Sequence, residues 1–520
     1  MEKGNFTLRE YLDGTALGII LLLFLYQTSL IAELPLVSEI LGLFFLFFLP
    51  GYILLKLGRF NLTSIEELVY SFAASTVLSI SLLYWLNLFL PINRSTLFLL
   101  VVVEVLPLCL VKRKVNFEIL RKIKKVRITT LSTILLVSTI IRIVLFFQVK
   151  VILGADVGRF TIISHTFFLK QKIVTDLRPY DDAYGFFYFP GAFALPLLLE
   201  LTGFDPITGI TLYLFILDIF SLMSFYLFAR NFLKEESATN SLFFYSFFFD
   251  PVLNLGIFGV FPNAFGVFFL ILAFHELVKN FKSRNPSTLF LVPLLGLFFF
   301  HLYPIFPLIL FTLAFLTWST LKGECNKSLK RLVHLFLKIV PIAVLLSLPS
   351  ILIMHDYFGI NFRGENEADL LMFSHGRSEL PIEEKLIQVF FATPTGLRMT
   401  PLSFLGVVFF LLSIPYLLRK EEGFLVLYLI YSITFILLVF HEYNLFRNVF
   451  CTWFIYSIAL ALFLKNPKLN FLLLMLIFPL ESQSPLFLML HLRPMENPQV
   501  PWVVWDSFFE TMAWIKNNVP

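Results

Sequence analysis

Residues 154–204 read GADVGRFTIISHTFFLKQKIVTDLRPYDDAYGFFYFPGAFALPLLLELTGF. Between hydrophobic neighbours, this stretch carries Asp156, Arg159, His165, Lys170, Lys172, Asp176, Arg178, Asp181 and Asp182, and then the aromatic run Phe186, Phe187, Tyr188, Phe189. Its roughly fifty residues far exceed an ordinary connection, so polar chemistry is concentrated here. From Pro190 to Thr202 the chain turns apolar for about thirteen residues, too few for a full span and suited to an interfacial or re-entrant helix. That choice decides the fold, because it sets the side on which every later crossing begins.

The rest of the chain leaves little choice of class. Of its 520 residues, 58% are hydrophobic and 14% charged, with a mean hydropathy of +0.85, which excludes a soluble protein. The apolar runs reach the roughly twenty residues a spanning helix needs and lack the alternation of a barrel. The expectation is an all-α, polytopic transmembrane helical bundle. The net charge of +5 does not point to nucleic acid, because the basic residues fall between spans, where they report topology. Cys109, Cys325 and Cys451 have neither metal nor redox spacing. Lys3 and Arg9 precede a first apolar segment with no small-residue cleavage site, so no cleavable signal peptide is expected.

Four apolar segments, near residues 15–32, 36–57, 66–90 and 95–111, make an opening module, residues 1–127. It closes on Lys112, Arg113, Lys114, Lys122, Lys124, Lys125 and Arg127, which the positive-inside rule places in the cytoplasm. The N-terminus is then inside, the next span runs outward over residues 128–148, and the loop 149–208 is extracytoplasmic. With residues 190–202 returning to the outer side, Arg230, Lys234, Lys279, Lys282, Arg284, Lys322, Lys327, Lys330, Arg331, Arg419, Lys420, Lys465 and Lys468 all fall inside. About fifteen crossings result, with a core over residues 128–480, a second large outer loop at 355–400, and an extracytoplasmic tail at 481–520. The cytoplasmic membrane is the expected location. Beyond Pro381, Leu386, Ile387, Val389 and Phe390 among charges suggest a short amphipathic helix on the membrane surface.

This topology gathers Asp156, Arg159, His165, Asp250, His301, His441, Glu442 and Arg447 on the outer side. His275-Glu276 and His441-Glu442 lack the second histidine of a zinc-protease helix, and no Walker-type loop occurs, so no nucleotide cofactor is expected. Most charges sit at the ends of spans, with Glu104, Arg142 and Asp218 the main interior exceptions. A transporter would place more of them at midplane.

The early acid in GADVGRFTIISHTFFLKQKIVTDLRPY (154–180), the later FFYFPG (186–191) and the apolar segment ending LTG (201–203) resemble the first outer loop of GT-C integral-membrane glycosyltransferases. That class includes oligosaccharyltransferases, protein mannosyltransferases and aminoarabinose transferases. The likeness in layout covers roughly residues 128–520, and the opening module, with FLPGYILLKL at 48–57, resembles a four-helix prefix of prokaryotic membrane proteins. The resemblance implies a sugar donor carried on a polyprenyl phosphate and an acceptor that is lipid, glycan or protein. The sequence departs from the class at FGVFPNAFG (258–266), where Asn263 stands in place of a frequent second acid.

Within that frame Asp156 is the candidate catalytic residue, either as the base for an acceptor hydroxyl or as a ligand, with Asp250, of a divalent cation, Mg or Mn. Asp250 precedes Pro251, and its alternative reading is a turn former. Arg159, His165, His301, His441 and Glu442 are candidate substrate contacts; the alternative reading of His165 and His301 is a packed, hydrogen-bonded histidine. Arg447 stands where a span re-enters from the outer side, at the depth of a lipid phosphate. Its planar fork suits two phosphate oxygens, and GT-C enzymes commonly place a basic residue in a late span for this role. Its other reading is an interfacial anchor paired with Glu442 or ordinary lipid. For the chain as a whole, a transporter or lipid-binding scaffold without chemistry is the alternative function.

Overall fold

A computed structural model describes residues 14–32, 34–110, 129–149, 155–173, 190–253, 261–283, 286–300, 304–362, 401–419, 423–439 and 454–464. All regular structure among them is helical. In chain order the helices are α1 (Gly14–Ile31), α2 (Pro35–Phe47), α3 (Leu49–Leu57), α4 (Ser64–Phe89), α5 (Arg94–Leu110), α6 (Thr130–Val149), α7 (Ala155–Lys170), α8 (Pro190–Thr202) and α9 (Pro206–Arg230). They continue with α10 (Glu235–Phe244), which runs into a π-helical turn (Tyr245–Phe249), α11 (Phe261–Lys282), α12 (Leu291–Phe300), α13 (Ile305–Leu321), α14 (Cys325–Phe362), α15 (Pro401–Arg419) and α16 (Gly423–Val439). α17 (Phe454–Phe463) follows.

Among the described residues, six helices are long and apolar enough to cross a membrane: Pro35–Leu57, Ser64–Phe89, Thr130–Phe147, Pro206–Arg230, Phe261–Lys282 and Asn326–Ile353. Shorter apolar helices, α8, α12, α13 and α17 among them, fill the space between. The chain is a multi-pass helical membrane protein. α11 is wholly enclosed, whereas α6 and α14 expose most of their apolar surface, as lipid-facing helices do.

Local sequence explains the element boundaries. Thr63 and Glu66 form a reciprocal capping box at the start of α4. Asp205 caps α9 through the Thr208 amide, with Pro206 in the first turn, where its missing N–H costs nothing. The segment expected as one span over residues 36–57 bends at Phe48, where Pro50 begins a new helix. The Gly51 amide at that break donates to Ser75 Oγ at 2.7 Å. Gly51 also lets α3 and α4 meet backbone to backbone: a Cβ there would lie 2.1 Å from the Ser71 carbonyl oxygen.

The opening helices are not set apart from the core. α4 packs on α9, α12 and α14 as well as on α2 and α3. Phe72 of α4 stacks on Phe220 of α9 at 4.2 Å between ring centroids and meets Phe268 of α11 edge-on.

Ion pairs and hydrogen bonds define two ends of the bundle. At one end Lys279 and His275 of α11 reach Glu66 of α4 at 2.6 and 3.4 Å, Tyr70 donates to Glu276 at 2.9 Å, and Lys56 of α3 pairs with Glu67. Lys282 donates to the Asn231 carbonyl, past the end of α9. These are the ends that the charge rule expects inside. At the other end the Ile92 amide donates to Gln171 O, Asn87 binds both the amide and the carbonyl of Ile173, and Tyr84 donates to Pro190 O. Residues expected outside therefore also gather together.

α8 never crosses. Its start lies against Phe299 and Phe300 and Tyr84, and its end against Gly42, while Gly203 (φ +111°) just beyond faces Ser38 near the start of α2. All thirteen of its residues are buried. Residues 155–170 and 190–202 are thus two short helices, α7 and α8, packed on each other.

Candidate functional site

α7 lies over the expected outer end of the bundle. Phe160 meets Phe193 of α8 and Phe261 at the start of α11, both edge-on, and Phe167 also packs on Phe193. With Phe160, Ile163, Ser164 and Phe167 buried, the helix presents Ile162, His165 and Leu169 on its exposed face. Asp156 and Arg159 belong to the first turns of this helix, so Asp156, Arg159 and His165 share one rigid element of sixteen residues.

His165 is the candidate contact whose surroundings are best defined. Its Nδ1 meets Glu200 Oε1, and its ring stacks near Phe168 at 6.1 Å. The imidazole is about half exposed (47%) and the carboxylate almost fully buried (8%). Glu200 Oε2 has no partner among the described residues. A carboxylate at Nδ1 selects the tautomer with the proton on that nitrogen, which leaves Nε2 as the acceptor. The contact fixes the orientation of the imidazole on the exposed face of α7. Glu200 is the site residue that sequence reasoning missed; its signal was its standing as the lone ionisable group in an apolar run of thirteen residues.

Asp250 lies elsewhere, inside the bundle. Its Oδ1 accepts the amides of Val252 and Leu253, each at 3.1 Å, so the turn-forming reading holds for that oxygen. Its Oδ2 pairs with Arg142 Nη2, while Arg142 Nε pairs with Asp218, and all three side chains are fully buried. Arg142 Nη1 donates to Ser138 O (3.1 Å) and Nη2 to Ser246 O (3.5 Å), the latter within the π-turn, where the helical ladder is disrupted. Two acids face one guanidinium, and Asp218 Oδ1 has no partner among the described residues. The sequence marked Arg142 and Asp218 as interior charges without showing that Asp250 joins them.

Among the described residues no three His, Cys, Asp or Glu side chains come together to hold a metal. Both oxygens of Asp250 are engaged within the protein, so the described residues do not fit a bridging divalent cation. The side chains of Asp156 and Arg159, and the whole of His301, His441, Glu442, Arg447 and the 363–400 stretch, lie outside what is described.

No family model matches the chain, and no curated protein matches it. Among solved structures it is similar to the archaeal oligosaccharyltransferase AglB from Archaeoglobus fulgidus in complex with an inhibitory peptide and a dolichol-phosphate. The identity is 14% and the TM-score 0.49, covering 75% of this chain and 58% of that one. It is also similar to an Archaeoglobus fulgidus oligosaccharyltransferase in complex with Zn and sulfate, at 14% identity and a TM-score of 0.46, covering 74% of this chain and 55% of that one. The chain thus spans less than two thirds of the length of either neighbour.

Proposed function

We propose that this chain is a membrane glycosyltransferase that moves a sugar from a polyprenyl-phosphate carrier to an acceptor on the extracytoplasmic face. The observation that supports the reading is the packing of residues 155–170 on residues 190–202: a polar helix bearing Asp156, Arg159 and His165, laid over a fully buried short helix at the end of the bundle expected outside. Such a roof brings ionisable groups to headgroup depth, where a lipid-borne donor presents its phosphate.

In the proposed step an acceptor hydroxyl attacks the sugar's anomeric carbon. The new carbon–oxygen bond forms as the bond to the carrier phosphate breaks, the hydroxyl proton passes to Asp156, and the polyprenyl phosphate leaves as an anion. Asp156 is the base. Arg447 takes the departing phosphate, with Arg159 and His165, oriented by Glu200, on the approach. His301, His441 and Glu442 complete the substrate contacts. The donor, the acceptor class and the location in the cytoplasmic membrane belong to this proposal.

The test is transfer by the purified full chain in nanodiscs, with a labelled polyprenyl-phosphate sugar and an acceptor extract. Asp156→Asn keeps shape and removes the base, and should lower turnover about a hundredfold or more with an unchanged thermal midpoint. Parental turnover in Asp156→Asn would overturn the assignment. The Arg142–Asp218–Asp250 cluster favours a second reading, transport. That reading gains if substitutions there abolish substrate uptake into liposomes while Asp156→Asn does not.

A further inference from the structure

Pro50 breaks the apolar run between α2 and α3, and the break needs outside help with its hydrogen bonds. Pro50 has no N–H to offer the Leu46 carbonyl four residues back. The Gly51 amide, in the first turn of α3, donates sideways to Ser75 Oγ at 2.7 Å. Two serines one turn apart on α4 thus serve the break: Ser75 accepts the Gly51 N–H, and Ser79 Oγ lies 2.7 Å from Leu46 O. Both serines are fully buried.

Ser79 has a second contact, with Glu104 Oε1 of α5 at 2.8 Å. A serine hydroxyl carries one proton, and a carbonyl oxygen can only accept. Since Pro50 deprives Leu46 O of its helical donor, the Ser79 proton is committed there. The contact with Glu104 then needs a proton from the acid's side. A carboxylate has none to give, whereas a carboxylic acid has one. Burial points the same way: Glu104 is 4% exposed and stands between Val103 and Val105 in an apolar helix, where an ionised carboxylate is costly.

We infer that Glu104 is a proton-binding site: a neutral carboxylic acid that donates to Ser79, which in turn donates to Leu46 O. One bound proton thereby links α5, α4 and α2 at the bend of the opening helices. The inference is independent of the transferase reading, since none of these three residues enters the proposed reaction.

Infrared difference spectroscopy on the full chain, reconstituted in lipid at neutral pH, tests it. Parent minus Glu104→Gln should show the carbonyl band of a protonated carboxyl and no carboxylate bands. Parent minus Ser79→Ala, which keeps the acid, should show that band displaced in frequency, because the acid's O–H has lost its acceptor. The thermal midpoint of Glu104→Gln should stay within about 1 °C of the parent, an amide N–H taking the place of the O–H, while Ser79→Ala, which strands both Leu46 O and the acid, should lose ~2 °C or more. Carboxylate bands in place of the carbonyl band would mean an ionised Glu104 sharing the Ser79 proton, and would overturn the site. A carbonyl band unmoved by Ser79→Ala, or a Ser79→Ala midpoint at or above the parent's, would overturn the relay. Each variant reads the proton separately, so if one does not fold the other still decides.

Discussion

Arg142→Met removes the guanidinium that holds Asp218 and Asp250 and leaves the side-chain volume nearly intact. Both acids and the arginine are fully buried, so the lost partner cannot be replaced by water. Removing one member of a buried ion pair costs about 3–5 kcal/mol, most of it the penalty of the charges left behind. At ~2 cal/mol/K per residue, a chain of this length has an unfolding entropy of about 1 kcal/mol/K, so the thermal midpoint should drop by at least ~3 °C. The drop should be larger in practice, because a membrane protein keeps much of its helix on unfolding. The assay is fluorescence-detected thermal stability in detergent. Arg142→Met/Asp218→Leu/Asp250→Asn, which removes the charges and keeps an oxygen at residue 250 for the Val252 and Leu253 amides, should regain most of the loss. A single variant within 1 °C of the parent, on the same scale, would refute the idea that the cluster is charged and dry. So would a triple variant worse than the single one.

Gly51→Ala should destabilise the protein by about 1–3 kcal/mol, since its methyl meets the Ser71 carbonyl and the Ser75 amide, both backbone; an unchanged midpoint would mean that α3 and α4 sit farther apart. Arg447→Lys should weaken binding of a polyprenyl-phosphate donor markedly while stability barely moves, because only the two-pronged geometry is lost. Parental affinity in both Arg447→Lys and Arg447→Ala would leave Arg447 as a membrane anchor. Cys325 begins α14 in the loop that the charge rule puts inside. With Cys109 and Cys451 replaced, a membrane-impermeant thiol reagent should miss it in intact cells and reach it in opened ones, and labelling of intact cells would reverse this part of the topology.

The all-helical membrane class was legible because it rests on local facts, apolar length above all. The bend at Phe48 was written in Pro50, yet the stretch reads as one span, since total apolar length is what a membrane requires. The helical form of residues 155–170 was hidden by their charges, because α7 is amphipathic and lies on the bundle instead of crossing it. α14 runs on to Phe362, past the expected end near Met354, since a polar sequence can extend a helix beyond the apolar core. Pairings were the illegible part. His165 finds Glu200 35 positions away, and Arg142 finds Asp218 and Asp250 at 76 and 108. Nothing in one helix states which face of another it will meet. Buried charges in a membrane announce that a partner exists without naming it.

The enclosure of α8 bears on how the protein is made. A thirteen-residue helix is too short to be held across the bilayer as it leaves the ribosome, and it has no lipid-facing side on which to wait. Its covering partners arrive at different times: α2 and α4 are already in place, but Phe299 and Phe300, which close over Gly191, are translated only after α9, α10 and α11. Until then the segment sits in a half-built bundle with one flank uncovered, a period in which an insertion chaperone or a protease would find it. Nascent chains arrested before α12 should therefore be cut near residues 190–202, and those arrested beyond it should be protected there.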